Sequence, residues 1–318
     1  MPSAASGSVP IRRARRIGGV AFIFIALMCF GALDTTSKVA AASVPVLMAL
    51  WVRYVVQTVS TGAVLLPQQG LRLFHSERPG LQVLRALLLV TCNGIAFVSL
   101  AHMHVAEFTA IVMLTPLLLT VVAAVGLKER VSWLRWACVA GGFAGTLVVM
   151  RPGREMFTPA LLLPLLLVLG NGSFQILTSA LAKVDQPGTI HFYSGLGGLA
   201  VTSASLPFVW QALPWQLWAV MGLMGVFGAL GHFLLIMAYA RAPVAILTPY
   251  LYLQVGFGAL GGWIVFSHVP DDWSLIGIAM IVGCGVYGTW LTGREILRGE
   301  RTPDAQSSLA AMAGADEH

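Results

Sequence analysis

Four ionisable side chains, Asp34, Lys38, Arg53 and Glu107, stand inside or at the edge of long apolar runs. A charge near the middle of a bilayer costs about 2.5–3.5 kcal/mol on insertion scales unless it is paired or hydrated, so such groups face protein or water. Asp34 and Lys38 are four positions apart, on one helical face, with the carboxylate N-terminal to the ammonium in the favourable order. Arg53 lies roughly 13 Å into the next run at about 1.5 Å per residue, within reach of Asp34 from a neighbouring helix. Two chemistries are open to this set. It is either a salt-bridge network locking the first two helices, or a set of charges that compensates a zwitterionic solute or relays protons.

Glu107 opens the fourth run, where a carboxylate is favoured by the helix dipole by about 0.3–1 kcal/mol. His102 and His104 lie beside it, but no third ligand is evident, so neither a metal nor any other cofactor is expected. Neutral polar groups deeper in the runs can hydrogen-bond a solute without burying net charge: Asn93, Asn171, Gln175, Tyr252 and Gln254. Pro116 and Pro249 each remove an intrahelical hydrogen bond inside a run and are hinge candidates. No nucleophile-and-base motif and no His-Glu-x-x-His pattern supports a membrane-embedded enzyme, the reading from a different class.

The elements that must carry these groups follow from composition. Hydrophobic residues make up 57% of 318 residues and charged ones 10%, with mean hydropathy +0.82, too apolar for one soluble core. The chain reads as an all-α polytopic membrane protein with ten spans, estimated at 17–38, 44–66, 82–101, 106–126, 134–150, 160–180, 191–211, 216–239, 244–266 and 273–292. Connections are short and hold Pro67, Pro79, Pro152, Pro187 and Pro270, as turns at the headgroup level do. The glycines of the eighth and ninth spans, Gly228 among them, read as close-packing positions between helices. Cys29, Cys92, Cys138 and Cys284 fall in different spans and read as small apolar fillers.

Lys and Arg orient the chain, because they are retained on the cytoplasmic side. With both termini cytoplasmic, every Lys and Arg except Lys38, Arg53, Arg151 and Arg154 lies inside, Arg72, Arg78 and Arg85 among them. The net charge of +6 is then a topology signal for a bacterial-type inner membrane, and nucleic acid is not implied.

The chain also repeats itself. Met103 to Thr109 aligns with Ala242 to Thr248, and Trp133 to Gly145 with Trp273 to Gly285. Five spans per copy is odd, so the second copy is inverted, with a pseudo-two-fold axis in the membrane plane. The repeat needs the first span as a member, which argues against a cleaved signal sequence. The expected organisation is a basic N-terminal segment (1–16), a first repeat (17–150), a second repeat (157–292) and a disordered cytoplasmic tail (299–318). In this register Asp34 faces Gln175, Lys38 faces Ser179, Arg53 faces Ser194 and Glu107 faces Ile246, so the charges belong to the first copy.

These residues carry a family resemblance. Asp34-Thr35-Thr36-Ser37-Lys38, Arg53, Val105-Ala106-Glu107, Leu114-Thr115-Pro116, Leu127-Lys128-Glu129-Arg130 with Trp136, and Asp272-Trp273-Ser274-Leu275-Ile276-Gly277 resemble the drug/metabolite transporter superfamily, specifically its EamA-type members. Two departures are Phe266-Ser267-His268-Val269 where Gly-Glu-Arg is common, and Lys128 where Gly is common. The resemblance implies a central solute cavity and transport of a small polar metabolite, an amino acid or amino-acid derivative, by alternating access. The Asp34-to-Lys38 and Arg53 pattern also resembles S-adenosylmethionine uptake relatives. That keeps S-adenosylmethionine or a quaternary amine as the alternative solute, with proton coupling through Asp34 or Glu107, or solute exchange, as the drive.

Overall fold

The structure is a computed structural model and describes residues 8–118, 121, 132–150, 162–182, 184–241, 247 and 250–299. Ten α-helices are described: α1 (Ser8–Ala41), α2 (Val46–Gln69), α3 (Pro79–His102), α4 (Val105–Val112), α5 (Trp133–Met150), α6 (Leu163–Leu181), α7 (Pro187–Val209), α8 (Trp215–Tyr239), α9 (Leu253–Phe266) and α10 (Asp272–Gly299). Pro249, the 127–130 motif and the 300–318 part of the tail lie outside the described residues.

Local chemistry explains the boundaries. Pro79 and Pro187 stand in the first helical turn, where the missing N–H costs nothing. Pro67 does not end the second span as the sequence suggested: α2 runs through it to Gln69 and stops at Gly70, whose φ of 56° suits a residue without Cβ. The fourth span breaks at Met113 and Leu114 and resumes at Thr115. Pro116 has no N–H to offer the carbonyl of Val112, and the Thr115 hydroxyl donates to that carbonyl instead at 2.7 Å.

Packing displays an internal two-fold relation. The helices α1 to α5 correspond to α6 to α10, and contacts between the copies come in matched sets. The α1–α8 packing is answered by α6–α3, α2–α8 by α7–α3, and α1–α9 by α6–α4, while α2–α7, α4–α9 and α5–α10 pair with their own counterparts. Such an arrangement follows from two copies inserted in opposite directions.

Among the described residues, five helical stretches are long and apolar enough to cross a membrane: Gly18–Ala41, Val46–Phe74, Pro79–His102, Pro187–Val209 and Trp215–Arg241. The others are shorter apolar helices. Large apolar side chains point outward along the bundle, among them Phe24, Val59, Leu166 and Ile264, a surface that suits lipid rather than water. Exposed Trp133, Trp210, Trp215 and Trp273 sit near helix ends, the usual place of interfacial aromatics. Backbones approach closely where side chains are absent. A Cβ on Gly31 would lie 2.6 Å from Phe257 Cβ, so α1 meets α9 nearly backbone to backbone.

Candidate functional site

Between the two copies lies a cavity of about 150 Å³. Its wall draws on α1 (Asp34, Ser37), α2 (Arg53), α3 (Asn93), the fourth span (Thr115, Pro116), α6 (Asn171, Gln175), α8 (His232) and α9 (Gln254). Helices α5 and α10 do not line it. Polar side chains face one another across an otherwise apolar enclosure in which Phe30, Phe97, Phe108 and Phe174 supply rings.

Asp34 is 9% exposed, and the Gln254 amide donates to its Oδ2 at 3.1 Å, linking the two repeats through the cavity. Arg53 also lines the cavity, yet among the described residues no ion pair within 4.0 Å joins it to Asp34. Its Nε and Nη2 are buried without a hydrogen-bond partner. The guanidinium fits there because α8 carries Gly228: a Cβ at that position would lie 2.7 Å from Nε. The glycine read from sequence as a packing position thus makes room for a charge.

Asn93 donates to the Tyr54 hydroxyl oxygen at 2.7 Å, which orients its amide at the wall. His232 was not singled out from sequence. Its ring is held edge-to-face by Phe30 (centroids 5.0 Å apart) and Phe174 (6.2 Å). A lone histidine in an apolar run gives no pattern to read, and only the inward turn of α8 shows which way it points.

Three expected site residues lie elsewhere. Lys38 does not join Asp34: its ammonium donates to the carbonyls of Leu100 (3.0 Å) and Met103 (2.7 Å), capping the C-terminal end of α3. Tyr252 packs its ring on α10, where a Cβ at Gly285 would fall 2.0 Å from Tyr252 Cζ, and it is absent from the cavity wall. Glu107, 8% exposed, belongs to a separate cluster. Its carboxylate oxygens lie 3.7 Å from His104 Nδ1 and 3.4 Å from His268 Nε2, and the two imidazoles stack with centroids 3.4 Å apart. His104 therefore has two candidate co-ligands, neither of them His102, whose ring faces the Val98 carbonyl.

Arg85 requires a correction, because it is not a solvated cytoplasmic cation. It is 2% exposed, donates through Nε to Thr178 Oγ1 at 2.8 Å and through Nη1 to the Ile190 carbonyl and Ser194 Oγ, and stacks 4.4 Å over Phe174. Its place in the first turns of α3, at the cytoplasmic end of the expected span, is what groups it with the cytoplasmic cations. Nearby, His191 bridges three helices: Nε2 lies 3.0 Å from the Ala229 carbonyl, so it carries the proton, and Nδ1 accepts from Thr61 at 2.9 Å.

With the site in view, the comparisons are specific. Residues 17–151 match the EamA-like transporter family. The chain is 26% identical over 254 residues to a riboflavin transporter of Brucella anthropi, a match spanning 76% of this chain and 87% of that protein. It is 24% identical over 267 residues to an S-adenosylmethionine uptake transporter of Rickettsia bellii, across 83% and 90% of the two. Over residues 17–151 the chain thus matches the EamA-like transporter family, and along most of its length it is similar to small-metabolite transporters.

A crystal structure of 18% sequence identity superposes with a TM-score of 0.65, covering 87% of this chain and 98% of that one, and so shares its fold. The family match, the relatives and the apolar helices together support a multi-pass membrane protein that transports a small metabolite and is not an enzyme. Its cavity lies between the two halves.

Proposed function

We propose that this EamA-type chain moves a zwitterionic metabolite carrying a planar ring, an amino-acid derivative of the S-adenosylmethionine class, through the inter-repeat cavity by alternating access. The observation that carries this reading is the Arg53 guanidinium, buried at the cavity wall with Nε and Nη2 unpartnered. A buried cation with no carboxylate within ion-pair distance is costly, and a solute carboxylate would supply the missing partner. Asp34 offers the opposite charge for an ammonium or sulfonium, while Phe174, His232 and the amides of Asn171 and Gln175 suit a flat, hydrogen-bonding base. The R. bellii relative is an uptake transporter for such a molecule.

A second reading is favoured by the B. anthropi relative: a neutral flavin could use the same rings and amides without needing Arg53. The two separate in proteoliposomes. Saturable uptake of labelled S-adenosylmethionine, inhibited by excess cold compound and insensitive to riboflavin, supports the first. Riboflavin flux, or flux of neither solute nor of free amino acids in folded protein, rejects it. With both termini on the cytoplasmic side, as the Lys and Arg distribution supports, Asp34 opens toward the periplasmic half and is the candidate for proton coupling.

A further inference from the structure

Outside the cavity, the structure gathers three metal-ligating side chains that the transport reading does not use. His104 precedes the first residue of α4 in the first repeat, Glu107 lies in the first turn of that helix, and His268 follows the end of α9 in the second repeat. One ligand atom from each lies within 4.8 Å of the other two. The His104 Nδ1 to Glu107 separation of 3.7 Å and the His268 Nε2 to Glu107 separation of 3.4 Å approach the edge of a tetrahedron built on metal bonds of about 2.05 Å, about 3.3 Å.

A second observation points to a ligand. Glu107 is 8% exposed; its Oε1 faces His268 Nε2 at 3.4 Å, while its Oε2, 3.7 Å from His104 Nδ1, is buried with no hydrogen-bond partner. Nitrogens from both rings lie beside that carboxylate, and because the rings are stacked within 5° of parallel, 3.4 Å apart, one imidazole must turn about its side-chain bonds to aim its in-plane lone pair at a shared ion. His104 is half exposed, which leaves a route in from solvent. Among the described residues the neighbouring cation is Lys38, turned onto the carbonyls of Leu100 and Met103 and over the Phe266 ring at 5.6 Å.

We infer that His104, Glu107 and His268 form a site for a divalent transition metal of the zinc class, which ties the first repeat to the second at one end of the bundle. Two imidazoles and one carboxylate select zinc, cobalt or nickel over magnesium or calcium, and three protein ligands leave one position for water. Since α4 and α9 are counterparts across the pseudo-two-fold, a metal bridging their ends would hold the two halves together at that end and slow any motion that separates them there. The site is independent of the identity of the transported solute.

The test is direct binding to tag-free protein in detergent or nanodiscs. Zinc titrated calorimetrically should bind with a stoichiometry of one, cobalt should give the intense visible absorption of a four-coordinate site, and magnesium should give neither. Glu107→Gln and the double variant His104→Ala with His268→Ala should each weaken zinc binding at least as much as the roughly 10–100-fold that loss of an outer-shell partner costs a metal site. His102→Ala, whose ring faces the Val98 carbonyl, should leave binding unchanged. Metal-free melting curves identify any variant that fails to fold. No saturable zinc binding by folded wild-type protein, or binding that survives the double variant, overturns the proposal.

Discussion

Arg53 is 4% exposed and Arg85 2%, and neither guanidinium has a carboxylate within 4.0 Å among the described residues, yet their surroundings are opposite. Arg85 is supplied with two hydroxyls, a carbonyl and an aromatic face, all from α6 and α7. Arg53 meets the backbone of α8 at Gly228 and the cavity, with two nitrogens left over. A buried cation whose donors are filled by its own protein holds helices together. One whose donors are not filled is held ready for something that arrives. The same residue type thus has its donors filled in one place and left open in another, which is the basis of the recognition role proposed for Arg53, and the difference lies in neighbours contributed by the other repeat.

The contrast can be broken most sharply at Arg53. Arg53→Ala should lower solute flux by about two orders of magnitude, the scale of a lost charge-assisted hydrogen bond worth about 3 kcal/mol, while membrane insertion and melting temperature stay near wild type. Wild-type flux in that variant would remove Arg53 from recognition. Arg85→Ala should do the reverse, lowering unfolding stability by about 2 kcal/mol with solute affinity retained, as checked by denaturation and ligand binding on the same preparation. Thr178 and Ser194 would keep their own bonds to the Phe174 and Ile190 carbonyls, so no hydroxyl is orphaned.

Gly228→Ala sharpens the comparison further. Its Cβ would displace the Arg53 guanidinium and should raise the KM by about tenfold, or about 1.4 kcal/mol. Gly222→Ala, where a Cβ would find nothing within 4 Å, should transport normally. Equal effects of the two would show that α8 tolerates no side chain for reasons unrelated to Arg53.

The smallest effect belongs to a loop. Burial alone would raise the Asp185 carboxyl, but hydrogen bonds from the Ser76 hydroxyl, the Glu77 N–H and the Gln82 amide outweigh it and hold the group below the usual carboxylate range. A depressed folded-state pKa contributes stability above the unfolded value, near 3.8, that is lost as pH falls through the folded one. Asp185→Asn should therefore destabilise by about 1 kcal/mol at pH 7, with the gap to wild type closing below about pH 4 in melting experiments.

Much of the cavity was legible because a polar atom in a hydrocarbon-length run has few explanations. Asp34, Arg53, Asn93, Asn171, Gln175 and Gln254 were chosen on that ground, and all line it. The ten helices were legible for the same reason, since run length and hydropathy act locally. What escaped depends on partners far along the chain. Lys38 reaches carbonyls more than sixty residues away, and Glu107 meets His268 161 positions on. The spacing of Asp34 and Lys38 favoured a local pair, but the uncapped end of α3 offered two carbonyls that a carboxylate one turn below could not outbid. Arg85 falls in the first turn of the expected third span and is counted with the cytoplasmic cations by the charge rule, which cannot see that α6 and α7 cover that turn.

The crossing of α5 and α10 has a mechanical consequence. A Cβ on Gly145 would lie 2.9 Å from the Gly277 carbonyl oxygen, and one on Gly277 would lie 2.7 Å from that of Gly145, so the two backbones touch with no side chain between them. Among the described residues, and apart from each other, these helices contact the rest of the bundle chiefly through α4, with Tyr252 against α10 besides. They form a strut packed along several turns, Gly141 against Cys284 and Gly288 against Cys138 as well, whose rail is the fourth span, and that rail breaks at Met113 and Leu114, beside the cavity. Bending at the break would swing one half of the rail while the strut anchors the other, turning a local kink into leverage on the cavity wall.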